Sequence, residues 1–156
     1  MKQPAADHFD VVSVERLIPA TAAKIFDVLA DPSRHLEIDG SGTVRDAKEG
    51  SQRLSLGSKF GMSMKAGFSY SMVSTIVELE ENRRIAWQTR PTQWLPAQMV
   101  GGRIWRYELE RKGDGTLVRE SWDISQERNN WLVRGFRSRT ADAMTKTLER
   151  LEQVVA

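Results

Sequence analysis

Glu120 is the residue whose neighbours make it a candidate for chemistry. It stands between Val118 and Trp122 in a stretch, Thr116 to Ser125, that reads as a strand. Alternation along a strand puts residues 118, 120 and 122 on one face, and Val118 and Trp122 make that face apolar. A carboxylate buried without partners costs several kcal/mol, so it must be paired, neutral or wet. Antiparallel pairing about Lys112-Gly113-Asp114-Gly115, a strong turn, sets Tyr107 opposite Glu120, where its hydroxyl is able to donate. Arg137, at the edge of the inner face of the following helix, is within reach as well. A structural Glu–Arg or Glu–Tyr contact outweighs a catalytic role, because paired structural carboxylates also titrate abnormally. The functional version is a polar anchor for a ligand, or a general acid/base at the base of a pocket.

The side chains expected around Glu120 are of an unusual kind. Phe60, Met62, Met64, Trp87, Trp105, Tyr107, Trp122, Phe136 and Met144 form a set rich in methionine and aromatics. A tight core favours Leu, Ile and Val; methionine and aromatic rings suit an adaptable wall around a flat or lipid-like molecule. Taken singly, each of these is ordinary core filling. Taken together, beside the small Thr140 and Ala143, they favour a pocket.

Other chemistries are poorly represented. Cysteine is absent, which removes disulfides, thiolate metal sites and a cysteine nucleophile. The histidines, His8 and His35, lie far apart, which argues against a histidine-rich metal site. His35, beside Asp31 and Glu37, reads as a surface or helix-end residue. There is no glycine-rich phosphate loop, nucleophile elbow or HExxH pattern. No cofactor and no metal are expected.

The elements that must position these residues follow in order. Phe9 to Ile18 alternates loosely and reads as a strand. Thr21 is a plausible N-cap for a helix through Leu29, which Asp31-Pro32 ends. A further short helix is expected over Pro32 to Glu37, and a short strand around Thr43 to Ala47. From Gly57 the alternation of Phe60, Met62 and Met64 against Lys59, Gly61, Ser63 and Lys65 is clean. The strand from Phe68 to Leu79 has poorly separated sides, as a bulge would produce. Arg84 to Thr89 is the next strand. Pro91 to Gly102 is a loop with apolar contents, among them Trp94, Leu95 and Met99. It reads equally as a satellite cluster on the sheet and as a lid or rim.

The last hairpin has a well-determined register. Trp105 faces Trp122, Tyr107 faces Glu120 and Leu109 faces Val118. Arg106, Glu108, Arg119, Ser121 and Asp123 then share the opposite, solvent face, and a slip by one residue would bury them all. Asn129 to Val155 reads as a single long amphipathic helix. Leu148, Leu151 and Val155 make a core stripe at its end. Thr140, Ala143 and Thr147 leave either a crowded crossing or a space, and the space is the favoured reading. Strands joined by short turns make an antiparallel sheet, and one apolar sheet face with one long helix gives an α+β fold.

A length of 156 residues suits one domain, 1–156, with residues 1–8 expected to be disordered. A net charge of +2 with interleaved signs does not suggest nucleic acid as a partner. No apolar run is long enough to cross a membrane, and the first ten residues lack a signal core. A cytoplasmic location is expected, and a homodimer is possible.

These residues support a family. Val12-Val14-Glu15-Arg16 before Pro19, Ile25-Phe26-Asp27-Val28-Leu29-Ala30-Asp31-Pro32, Ile85-Ala86-Trp87, Trp105 to Leu109, Gly115-Thr116 with Glu120-Ser121-Trp122, and Leu148-Glu149-Arg150-Leu151 resemble the START/Bet v1-like (SRPBCC) superfamily in its bacterial polyketide cyclase/dehydrase-like branch. The resemblance implies a helix-grip fold, in which a curved antiparallel β-sheet wraps around a long C-terminal α-helix and leaves an internal cavity. It implies binding of a small hydrophobic molecule, lipid-like or of aromatic polyketide type. Phe60, Met62, Met64, Trp87, Trp105, Tyr107, Trp122, Phe136, Thr140 and Met144 would line the site, with Glu120 and Arg137 holding a polar group. Members of the superfamily include cyclases and chaperone activators, and no catalytic motif of the cyclases carries over to this chain; as a cyclase/dehydrase it would use Glu120 to move protons, and as a chaperone activator it would bind its partner by the loop around Trp94.

Overall fold

The first strand pairs with the last. In the computed structural model, which describes residues 10–41, 44–47, 52–65, 69–92 and 100–156, one antiparallel sheet has the strand order β1-β7-β6-β5-β4-β3-β2. The strands are β1 (Val11–Ile18), β2 (Val44–Ala47), β3 (Lys59–Lys65), β4 (Ser69–Glu80), β5 (Arg84–Pro91), β6 (Arg103–Lys112) and β7 (Gly115–Asp123). The helices are α1 (Ala22–Leu29), α2 (His35–Ile38), α3 (Asn130–Val133) and α4 (Arg137–Val155). Everything between β2 and β7 is a meander, so every neighbouring pair is antiparallel and needs only a short turn. This is the α+β helix-grip architecture expected from the sequence.

Local chemistry fixes the boundaries. Thr21 caps α1 by accepting a hydrogen bond from the Lys24 amide at 3.2 Å. Asp31 then accepts from the Ser33 amide and hydroxyl and starts a 3₁₀ turn over Pro32–Arg34, which leads into α2. The bulge expected in β4 lies between Ile76 and Glu78. It leaves Ile76 buried and turns Val77 outward. The late hairpin has the expected register, with Trp105 opposite Trp122, Tyr107 opposite Glu120, and Leu109 opposite Val118. On its outer face Arg106 grips Glu78 at 2.7 Å and Arg84 reaches Glu108 at 2.8 Å. Arg119 pairs with Glu15 of β1 rather than with Glu108 opposite it.

The C-terminal helix runs over the expected stretch, from Asn130 to Val155, with one local departure: α3 tightens into a 3₁₀ turn over Arg134–Phe136 before α4 begins. Gly135 sits in that turn, and a 3₁₀ turn advances the side chains by a different angle from an α-helix. Of the face predicted from one continuous pitch, Val133 stays buried while Phe136, within the turn, is carried outward.

Beyond the break the pattern holds. Met144, Leu148, Leu151 and Val155 are buried against the sheet and α1. Each contributes roughly 1.5–3 kcal/mol by leaving water. The small residues of this face serve a close crossing rather than a space. The Gly40 amide donates to Thr147 Oγ1 at 2.9 Å. A Cβ on Gly40 would lie 2.2 Å from the Ala143 carbonyl oxygen and 2.6 Å from the Thr147 nitrogen. Ala143 and Thr147 are small because the exit of α2 presses on them. At Ala143 and Thr147 the outcome is thus the crowded crossing and not the space favoured from sequence.

The interior is divided. One apolar cluster joins Ile25, Phe26, Leu29, Phe60, Trp87, Val118, Leu148 and Leu151. A second joins Trp122, Ile124, Val133 and Met144. Val14 and Trp105 pack against both.

Candidate functional site

Glu120 occupies the seam between the two clusters. It is 3 % exposed, on β7 between Val118 of one cluster and Trp122 of the other. Val14 of β1 and Tyr107 of β6 flank it across the sheet. Among the described residues its Oε1 has no hydrogen-bond partner, and neither has the buried Nε1 of Trp122. Burial drives the Glu120 pKa up to about 8. The Tyr107 hydroxyl opposes this as a hydrogen-bond partner, and the charge of Asp39, at the end of α2, adds to it. Tyr107 in turn is pushed well above its ordinary value, first by burial and then by Glu120. At neutral pH the carboxyl is thus predominantly the neutral acid, able to donate as well as accept.

Arg137 was expected to pair with Glu120. The groups acting on the carboxyl are Tyr107 and Asp39 instead, and Arg137 sits half-buried at the first residue of α4. Among the described residues no cation contributes to its shift, and Glu120 escapes its desolvation by holding its proton rather than by forming an ion pair.

The predicted wall divides into parts. Phe60, Trp87 and Tyr107 belong to a stack completed by His35. The His35 ring lies parallel to Trp87 at 4.9 Å and edge-on to Phe60 at 5.4 Å; Trp87 meets Tyr107 at 5.5 Å. These rings fill the core against one another, with Met62 buried in the same cluster. Trp105, Trp122 and Met144 make the other part. Trp105 and Trp122 lie 6.5 Å apart, and Met144 of α4 is buried beside Trp122. Thr140 is half-buried, one turn before Met144. Met64 pairs with Tyr70 and Val44 in the sheet, and its side chain is outside the described residues.

Phe136 does not line the site. It is 48 % exposed, because the 3₁₀ turn carries it off the inner face. A hollow of about 220 Å³ lies elsewhere, bordered by Lys59, Phe60, Gly61, Ser71, Met72, Val73 and Thr92. Of the predicted lining residues only Phe60 reaches it. Most of the apolar loop, residues 93–99 with Trp94, lies outside the described residues, as do residues 1–8.

His35 stands at a helix end, as expected, but in the interior rather than at the surface, and sequence reasoning overlooked Glu127. His35 is buried, and its Nε2–H donates to the Leu29 carbonyl at 2.9 Å. Burial lowers its pKa. The signal was Asp31-Pro32, whose capped turn folds α2 back onto the sheet. Glu127, in the link after β7, is buried and holds the Gly101 amide and Arg103. No pattern in a loop would have singled it out. Among the described residues no group of three His, Asp or Glu side chains is close enough to hold a metal ion, and no helix is long and apolar enough to cross a membrane.

A family model described as "Polyketide cyclase / dehydrase and lipid transport" matches residues 10–156. The chain belongs to that family. The uncharacterized protein Rv0088 of Mycobacterium tuberculosis is 33 % identical over 147 residues, covering 89 % of this chain and 61 % of its own length. The chain thus spans about three fifths of that relative. A protein from Arthrobacter aurescens has the same fold at 12 % identity, with a TM-score of 0.75 over 95 % of this chain and 87 % of that one. The Aha1 dimer from Colwellia psychrerythraea aligns at 16 % identity and a TM-score of 0.60, over 91 % and 96 % of the two chains. At such identities the likeness is one of fold.

Proposed function

We propose that this chain binds a small hydrophobic molecule bearing an oxygen function, lipid-like or of aromatic polyketide type, between the sheet and α4. The observation that carries this reading is the pair of buried polar atoms without partners, Glu120 Oε1 and Trp122 Nε1. Buried polar groups are nearly always hydrogen-bonded, and an orphaned one costs about 1–3 kcal/mol. A ligand oxygen that accepts from Trp122 and from the neutral Glu120 would recover that cost, while Trp105 and Met144 supply apolar contact. The family description, which includes lipid transport, supports the class of ligand. The test is a panel of fatty acids, flavonoids and aromatic polyketides, read by tryptophan fluorescence and by melting temperature. Binding at a hundred times Kd should stabilise the fold by about 2.7 kcal/mol. Ligands carrying a carbonyl should lose at least about tenfold in affinity with Trp122→Phe, which keeps the ring and removes the donor. A panel without response, or a variant of unchanged affinity, ends this reading.

A second reading rests on the raised pKa of Glu120. An acid that titrates near neutrality is suited to moving protons, as in cyclisation or dehydration of a poly-keto chain. Under that reading Glu120→Gln abolishes turnover and keeps ligand binding. Turnover that survives the substitution removes Glu120 from the chemistry.

A further inference from the structure

The break in the C-terminal helix exposes a surface that the ligand site does not use. Trp131 is 67 % exposed and Phe136 is 48 % exposed, on consecutive short turns. Between them Val133 is buried in the cluster of Trp122 and Met144, so the segment is fastened to the domain while both rings project. The same stretch carries Arg128, Arg134, Arg137 and Arg139, and from 128 to 141 it contains no Asp or Glu. The Arg139 guanidinium lies over the Phe136 ring at 5.7 Å, and Arg134 shares its charge with Asp10.

We propose that Trp131 and Phe136, with the arginines around them, dock this chain on an anionic bilayer surface. Tryptophan and phenylalanine at the edge of a fold gain free energy at the headgroup level of a membrane, and arginine stems lie along the apolar boundary with their heads at the phosphates. The clustered positive charge selects that surface over other occupants. A second copy meeting this face would bring like charges together, which disfavours self-association. A nucleic acid would need a longer basic track than this one, and the chain as a whole carries only +2. The patch adjoins the Trp122 cluster through Val133, so docking would set that end of the interior against the lipid.

The experiment is co-sedimentation of the full chain with vesicles of phosphatidylcholine alone and of phosphatidylcholine mixed with phosphatidylglycerol. Binding is expected to the mixed vesicles and to weaken with salt. Arg139→Gln should lower partitioning by about fivefold, the contribution of one basic side chain at an anionic surface. Trp131→Ala should lower it by about tenfold. Both side chains are exposed, so an unchanged melting temperature is expected and separates docking from unfolding. Glu120→Gln should leave partitioning as it is, so failure of the ligand proposal and failure of this one are distinguishable. The proposal is overturned by equal binding to both vesicle types, by no binding, or by variants that partition like the parent. It is equally overturned if Trp131→Ala instead dissolves a dimer seen by light scattering, or if an RNA or DNA oligonucleotide outcompetes the vesicles.

Discussion

Protonation of Glu120 ties folding to pH. Its carboxyl has an ordinary value of 4.5 in the unfolded chain and about 8 in the fold. Between those values unfolding releases a proton. The contribution of this group is therefore complete below the lower value and is lost as the pH rises to the upper one. Each unit of pH in that window removes at most about 1.4 kcal/mol. Glu120→Gln cannot ionise, so its stability relative to the parent should increase from about pH 5 to about pH 8 and then level. Urea melts at the two ends of the window check this. An equal difference at both ends would mean that the buried carboxyl is charged. His35 acts in the opposite sense. Its folded value lies below the ordinary 6.5, so its contribution is present above 6.5 and is lost as the pH falls. His35→Phe keeps the stack on Trp87 and gives up the bond to the Leu29 carbonyl. It should cost about 1 kcal/mol at alkaline pH and flatten the acid limb of the stability profile, again by urea melts. A limb that keeps its slope assigns the acid sensitivity to other groups.

At the scale of elements, the crossing of α2's exit over α4 is the tightest joint described. Gly40→Ala would drive a methyl into the Ala143 carbonyl, and backbone on both sides has little freedom to yield. A loss of about 1–3 kcal/mol is expected, measured by denaturant midpoint at constant m-value. Thr147→Val should cost about 1–2 kcal/mol, since it removes the hydrogen bond accepted from the Gly40 amide and the one donated to the Ala143 carbonyl. Elements differed in how well the sequence announced them. The register of the late hairpin was legible because its turn chemistry and its alternation agree, and because one face is charged and the other aromatic; Ser121, expected on the solvent face, is instead covered and bonded to Ser13 of β1. The C-terminal helix was legible in its extent and not in the tightening at Arg134–Phe136. Val133 and Phe136 suggest one continuous stripe, yet Gly135 permits a tightening that periodicity alone does not reveal.

The whole molecule was more readable than its site. The antiparallel meander, the α+β class and the place of the last helix follow from the sequence of apolar periods; the pairing of β1 with β7, which joins the ends of the chain, does not. Glu120 was found because a lone acid breaks an apolar face. What the residues around it do was harder to see. A set of aromatics and methionines looks the same in sequence whether it lines a space or fills one, and three-dimensional contact separated Phe60, Trp87 and Tyr107, packed on His35, from Trp105, Trp122 and Met144. Phe136 was misassigned because of the change of helical phase at residues 134–136.

The hydrogen bond between Ser13 and Ser121 joins residues 108 apart in the chain. During synthesis β1 leaves the ribosome and waits, with Val12 and Val14 uncovered, until most of the domain has been made. Contacts of such long separation close slowly. A nascent chain halted before Gly115 would offer a bare strand edge to any chaperone or to another nascent copy.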